Sequence, residues 1–237
     1  MDILTTNPQI IVMAFIGGLI PSLLWLWFWL KEEENPEPSG LLTMVFIMGM
    51  ISVIIVLPIE KFIQEQISSQ TYQIILWACS EEILKYLAVL VILYKTNNVR
   101  KPIDWPIYMV TAALGFAALE NTLFLIKPFS ISGSALALLN ATSLDQLRFL
   151  GANLLHTVAS GTIGIAIGIS FFTSGFKKRW SLFVGFLVAI SLHSAFNFFI
   201  IKGSENKLEV FAFLWVVTII IMLFFEKVRR MSESIIN

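Results

Sequence analysis

Six side chains able to move a proton or bind a metal sit inside otherwise apolar runs of this chain: Glu81, Glu82, Lys85, Glu120, His156 and His193. They include both of its histidines. Carboxylate and imidazole together activate water for hydrolysis, hold a catalytic zinc, or relay protons. Glu81 and Lys85 stand i,i+4 with the acid N-terminal, the better orientation for an ion pair along one helix. That pairing leaves Glu82, about 100° further round the helix, for other work. Phe116 with Glu120, and His193 with Asn197, share helix faces at the same spacing. Asn121, Asn153 and Asn197 add amides nearby.

Apolar runs of about 20 residues are long enough to cross a bilayer as helices. Seven are expected: Gln9–Leu30, Leu41–Leu57, Tyr72–Tyr94, Trp105–Ile126, Phe149–Phe172, Trp180–Ile201 and Leu208–Phe225. Trp25, Trp27, Trp29, Trp105 and Trp180 fall near their ends, where amphipathic rings suit the interface. The fold class is therefore all-α, a polytopic transmembrane bundle of about seven spans forming one domain over residues 1–237. Between the fourth and fifth spans, Ile131–Leu139 is too short to cross and reads as an interfacial or re-entrant segment. Ser143 to Gln146 reads as a capping box that launches the fifth helix.

At 1.5 Å per residue, position along a span becomes depth. Glu81 lies roughly 13 Å from the outer end of its span, Glu120 roughly 9 Å, and the two histidines roughly 10–12 Å. Four helices running alternately up and down thus deliver their polar groups to one layer. Each mid-membrane charge costs about 2.5–3.5 kcal/mol on insertion scales, so chance is a poor explanation.

Composition fits this reading, with 57% hydrophobic and 14% charged residues against roughly 25% charged in soluble domains. A formal net charge of zero leaves no basic face for nucleic acid. The single Cys79 excludes an intramolecular disulfide and a cysteine zinc cluster. The first apolar run lacks a basic flank and is long enough to span, unlike a cleaved signal peptide. Five basic residues fall on the side of the N-terminus and ten on the other. The positive-inside rule then places the N-terminus outside and the C-terminus in the cytoplasm of a multi-pass protein of the cell membrane.

Taken in order, these residues resemble the PrsW family of intramembrane proteases, related to the CAAX-type prenyl protease superfamily. Ser80-Glu81-Glu82-Ile83-Leu84-Lys85 is similar to that family's EExxK motif, and Gly115-Phe116 through Glu120-Asn121 to its GFxxxEN motif. His156 and the stretch from His193 to Asn197 fall where its later histidine motifs belong, and Pro36-Glu37-Pro38 resembles its PEP loop. The prenyl proteases carry histidine where this chain has Glu120, so their mechanism does not transfer directly. The resemblance implies a multi-pass endopeptidase acting on membrane-anchored, anti-sigma-factor-like proteins, with the bilayer and a single-pass membrane protein as partners.

The expected catalytic set is Glu81, Glu82, Glu120, His156 and His193, supported by Lys85, Asn121 and Asn197. Two histidines and a glutamate from separate helices can form a His₂Glu zinc site, with Glu120, His156 and His193 as ligands and Glu82 as general base. A metal-free mechanism, in which a glutamate and a histidine activate water and His193 and Asn197 stabilise the oxyanion, stays open beside it. The other class is a proton-coupled transporter with a Glu/His relay, which would move solute without producing fragments. No inverted repeat is visible, and the polar groups occupy a layer instead of a path across the bilayer. Cys79 reads as a small buried hydrophobe and Ser80 lacks a triad. Gly161, Gly164 and Gly168 read as close helix packing.

Overall fold

The computed structural model describes residues 8–31, 37–94, 96, 98–132, 143–201 and 207–233. They form seven helices: α1 Pro8–Leu30, α2 Ser39–Gln66, α3 Gln70–Leu93, α4 Asp104–Ser132, α5 Ser143–Ile169, α6 Gly175–Ile201 and α7 Lys207–Glu233. Residues 133–139 of the expected re-entrant segment, and the side chain of Ser143, lie outside the described residues. Among the described residues, five helices carry a long apolar window with at most two charges; α3 and α7 do not. In α3 the reason is local. Glu81, Glu82 and Lys85 fall in every 18-residue window of its 24 residues.

Several helices are longer than the apolar runs alone suggest: α4 continues past Ile126 to Ser132 and α7 past Phe225 to Glu233, and two others extend for visible local reasons. α2 continues past Leu57 through Pro58 to Gln66, where Gln73 and Trp77 of α3 tie back to it. Trp77 Nε1 donates to the carbonyl of Glu60 and Gln73 Nε2 to that of Ile67, so side chains of α3 hold the α2–α3 turn. α6 starts at Gly175, whose φ of 61° closes the turn from α5, and it therefore includes Lys177, Lys178 and Arg179 in its opening turns.

α4 and α5 form the buried centre, and α1, α2, α3, α6 and α7 surround them with their apolar outer faces toward lipid. α4 meets its neighbours backbone to backbone. A Cβ on Gly115 would lie 2.0 Å from the Phe46 carbonyl oxygen, and one on Gly49 would lie 2.1 Å from that of Ala112. Only hydrogen at these positions lets α2 and α4 cross so closely, the packing mode of small residues in membranes. Of the three glycines of α5 expected to pack closely, Gly164 and Gly168 do, whereas a Cβ on Gly161 would make only ordinary contact with Val110 at 3.4 Å. A Cβ on Gly164 would meet Pro106 at 2.5 Å, and one on Gly168 would meet the Pro102 carbonyl at 2.7 Å. Asp104 fixes the start of α4 by accepting from the backbone N–H groups of Arg100 and Lys101. With both its start and its crossing pinned, α4 holds Phe116 and Glu120 at a defined depth.

Candidate active site

Glu81, Glu82 and Lys85 of α3, Glu120 of α4, His156 of α5 and His193 of α6 form one connected cluster, as their common depth requires. All but Glu120 are buried; its side chain is 31% exposed and opens the cluster to its surroundings.

The two adjacent glutamates have different environments. Glu82 is fully enclosed: Oε1 accepts from Lys85 Nζ at 2.8 Å and from His193 Nδ1 at 2.9 Å, and Oε2 accepts from Ser160 Oγ at 2.6 Å. Lys85 therefore pairs more closely with Glu82, at i,i+3, than with Glu81 at 3.4 Å. Spacing along α3 suggested the reverse. The i,i+4 rule compares partners on an isolated helix, whereas His193 and Ser160, from two other helices, fix the Glu82 carboxylate where the ammonium reaches it. Glu82 is thus occupied as a structural anchor. Glu81 instead keeps the longer contact to Lys85 and faces both imidazoles.

Hydrogen bonding also fixes the tautomers of both rings. Lys85 Nζ lies 2.8 Å from His156 Nδ1 and can only donate, so Nδ1 accepts. His156 Nε2 then carries the hydrogen and donates to Glu120 Oε2 at 2.7 Å. His193 donates from Nδ1 to Glu82, which leaves its Nε2 lone pair buried and without a hydrogen-bond partner. That nitrogen faces Glu81 Oε2 at 3.6 Å, and the same oxygen lies 3.9 Å from His156 Nδ1. The rings stand edge to face with centroids 5.0 Å apart. Phe116 packs against His156 and lies under the Lys85 ammonium, 4.2 Å from ring centroid to Nζ, a cation–π contact that further holds the lysine.

Among the described residues, Glu81, His156 and His193 can each offer one ligand atom with all three atoms within 4.8 Å of one another. This differs from the expected trio, because Glu120 contacts the far nitrogen of His156 while Glu81 faces both rings. The donor set suits a cation such as zinc. It comprises one carboxylate and two imidazoles, and each imidazole's other nitrogen is held by a carboxylate, the arrangement that orients histidine ligands in metal sites. The contact that a metal at His156 Nδ1 would displace is the one from Lys85.

Of the supporting amides, Asn121 is buried with Nδ2 unpartnered, and Asn197, one turn beyond His193, makes no hydrogen bond among the described residues. Asn153 instead accepts from Ser22 and ties α5 to α1. Cys79 is a half-buried free thiol, and Ser80 donates to the carbonyl of Trp77 within its own helix. Ser160 was not singled out by sequence. It sits between Ala159 and Gly161, and a hydroxyl among small residues reads as packing; only its position one turn after His156 hinted at a role.

A family model described as the PrsW family intramembrane metalloprotease matches residues 37–225. The chain belongs to the PrsW family. Proteins named Protease PrsW from three bacteria illustrate the likeness. That of Oceanobacillus iheyensis is 28% identical over 93% of this chain and 96% of its own length. That of Geobacillus kaustophilus is 27% identical over 78% of each. That of Bacillus subtilis is 23% identical over 84% of this chain and 89% of its own. No solved structure matches the chain. The protein is accordingly a multi-pass membrane protein and an intramembrane protease.

Proposed function

We propose that this PrsW protease cleaves single-pass, anti-sigma-factor-like membrane proteins in the outer half of the bilayer, using zinc held by Glu81, His156 and His193. The N-terminus is outside and the C-terminus cytoplasmic, as the loop charges suggest. The observation that carries the reading is the buried, unpartnered Nε2 of His193 facing the Glu81 carboxylate. Zinc bound there would lower the pKa of a coordinated water toward ~7 and polarise the scissile carbonyl. The protein's own groups supply the remainder. Glu82 and Glu120 hold one imidazole each in the ligating tautomer. Glu120, the cluster's partly exposed carboxylate, stands across the His156 ring from the metal position, so it accepts the proton of the attacking water through an intervening water and returns it to the leaving amine. Asn197 donates to the developing oxyanion.

One observation supports a metal-free form of the same hydrolysis. The Lys85 ammonium already occupies His156 Nδ1 and balances the carboxylates without a metal. Glu81 and His193 then share the task of deprotonating water. Cleavage of a membrane-anchored substrate in reconstituted vesicles separates the two. Inhibition by 1,10-phenanthroline, recovery with zinc, and about one zinc per chain that is lost in His193→Ala support the metal form. Full cleavage by zinc-free protein leaves the glutamate–histidine form. A scissile bond mapped to the cytoplasmic side overturns the orientation.

A further inference from the structure

Away from the catalytic cluster, α5, α6 and α7 leave an apolar groove of about 700 Å³ open to lipid. It exists because α6 and α7 both pack on α5 but barely on each other. Its walls include Ile165, Val184, Val188, Ile220 and Phe224, and its one charged lining residue is Lys177. The hydroxyls in the wall are already used: Thr162 donates to the Val158 carbonyl and Ser181 to that of Ala166. The interior of the groove therefore offers a ligand nothing but apolar contact.

Its length and polarity are those of a lipid. From Phe176 to Leu192, the limits of its lining on α6, the groove runs roughly 24 Å at 1.5 Å per residue. One leaflet of hydrocarbon is roughly 15 Å deep, so the groove can take a whole acyl chain with its headgroup at the Lys177 end. Lys178 and Arg179 follow Lys177, and among the described residues none of the three has an acidic partner. Phe176 and Trp180 stack at the same end, as aromatic side chains do at the membrane interface. A second lipid-facing crevice, between α1 and α7, is lined by Leu24, Trp25, Phe28 and Trp215 among others and by no charged residue. Charge distinguishes the first.

We propose that the α5–α6–α7 groove is a specific binding site for an anionic phospholipid, with an acyl chain along Val184 and Val188 and its phosphate at Lys177, while Lys178 and Arg179 on the other faces of the helix add positive potential at that end. A zwitterionic lipid fits the walls equally well but gains less from the basic cluster. Three basic residues gathered at the membrane surface favour an anionic headgroup by an enrichment on the order of tenfold or more.

The full chain, reconstituted with equal phosphatidylglycerol and phosphatidylcholine and released into mild detergent, is analysed by native mass spectrometry. Phosphatidylglycerol should remain bound in excess. Lys177→Glu/Arg179→Glu should abolish the preference, and Val188→Trp should reduce retention of both lipids by filling the groove. A benzophenone side chain placed at Val184 should capture lipid on irradiation, independently of either variant. Equal retention of the two lipids, or unchanged retention in well-folded variants, overturns the proposal. Capture of polypeptide at Val184 does so too, by assigning the groove to a substrate helix or a second copy.

Discussion

Replacing Glu82 and Glu81 separately by glutamine tests the division of labour between them. In Glu82→Gln the amide oxygen can still face Lys85 and His193, and the amide nitrogen can face Ser160, whose hydroxyl can turn to accept. What disappears is the charge. Lys85, fully buried, keeps only the Glu81 contact at 3.4 Å among its carboxylate partners. Removing one member of a buried ion pair costs about 3–5 kcal/mol, and the remaining Glu81 puts this case near the lower end, about 3 kcal/mol. For a chain of this length that corresponds to a fall in melting temperature of about 6–12 °C. Glu81→Gln leaves the 2.8 Å pair intact and should cost on the order of 1 kcal/mol. It should nonetheless lower cleavage by at least about a hundredfold, because Glu81 holds the metal in one form of the reaction and shares the deprotonation of water in the other. Tryptophan-monitored thermal unfolding in detergent and cleavage of a membrane-anchored substrate provide the two readings. If the two variants melt together, or if Glu81→Gln cleaves like the wild type, the roles assigned from the structure are wrong.

Ser160→Ala leaves Glu82 Oε2 without its donor and should reduce cleavage about 10–100-fold, the range for groups that orient ligand-holding side chains, while Ser160→Thr restores most of it; wild-type rates in the alanine variant refute the role. Gly115→Ala forces a methyl group to within 2.0 Å of the Phe46 carbonyl and should destabilise by more than the about 1–3 kcal/mol of ordinary overpacking, seen as a lowered melting temperature, whereas Gly40→Ala, with open space around it, should not. Glu37, which accepts from Tyr108, has its pKa raised from 4.5 to about 7, chiefly by burial and then by nearby Asp104. Because the folded protein holds this proton more tightly, the associated stability is complete below pH 4.5 and is lost as pH rises through about 7. Glu37→Gln should remove that component from the pH profile of thermal unfolding, and an unchanged profile would contradict it.

The site was largely legible because intramembrane charge is rare and depth follows from counting residues. Glu81, Glu82, Lys85, Glu120, His156 and His193 were thus expected in one layer, and they do meet. The partners within the layer were not legible. Which glutamate Lys85 takes depends on Ser160 and His193, and which carboxylate faces both imidazoles depends on how α3 is rotated against α5 and α6. Helix ends were missed for local reasons. Hydropathy marks where the apolar run stops, whereas α2 continues through Pro58 and α6 begins at the left-handed Gly175, before its apolar run.

The lysine beside the two glutamates also bears on how the protein is made. α3 precedes α4, α5 and α6 in the chain, so Glu81 and Glu82 meet the membrane during synthesis before either histidine exists. Were they to wait for those partners, two carboxylates would enter hydrocarbon uncompensated, at about 2.5–3.5 kcal/mol each on insertion scales. Lys85 lies on the same helix, within reach of both, and needs no later segment to find them. The ammonium can therefore accompany its carboxylates through the translocon as a counterion carried in cis, before the histidine-bearing helices that complete the cluster have been synthesised.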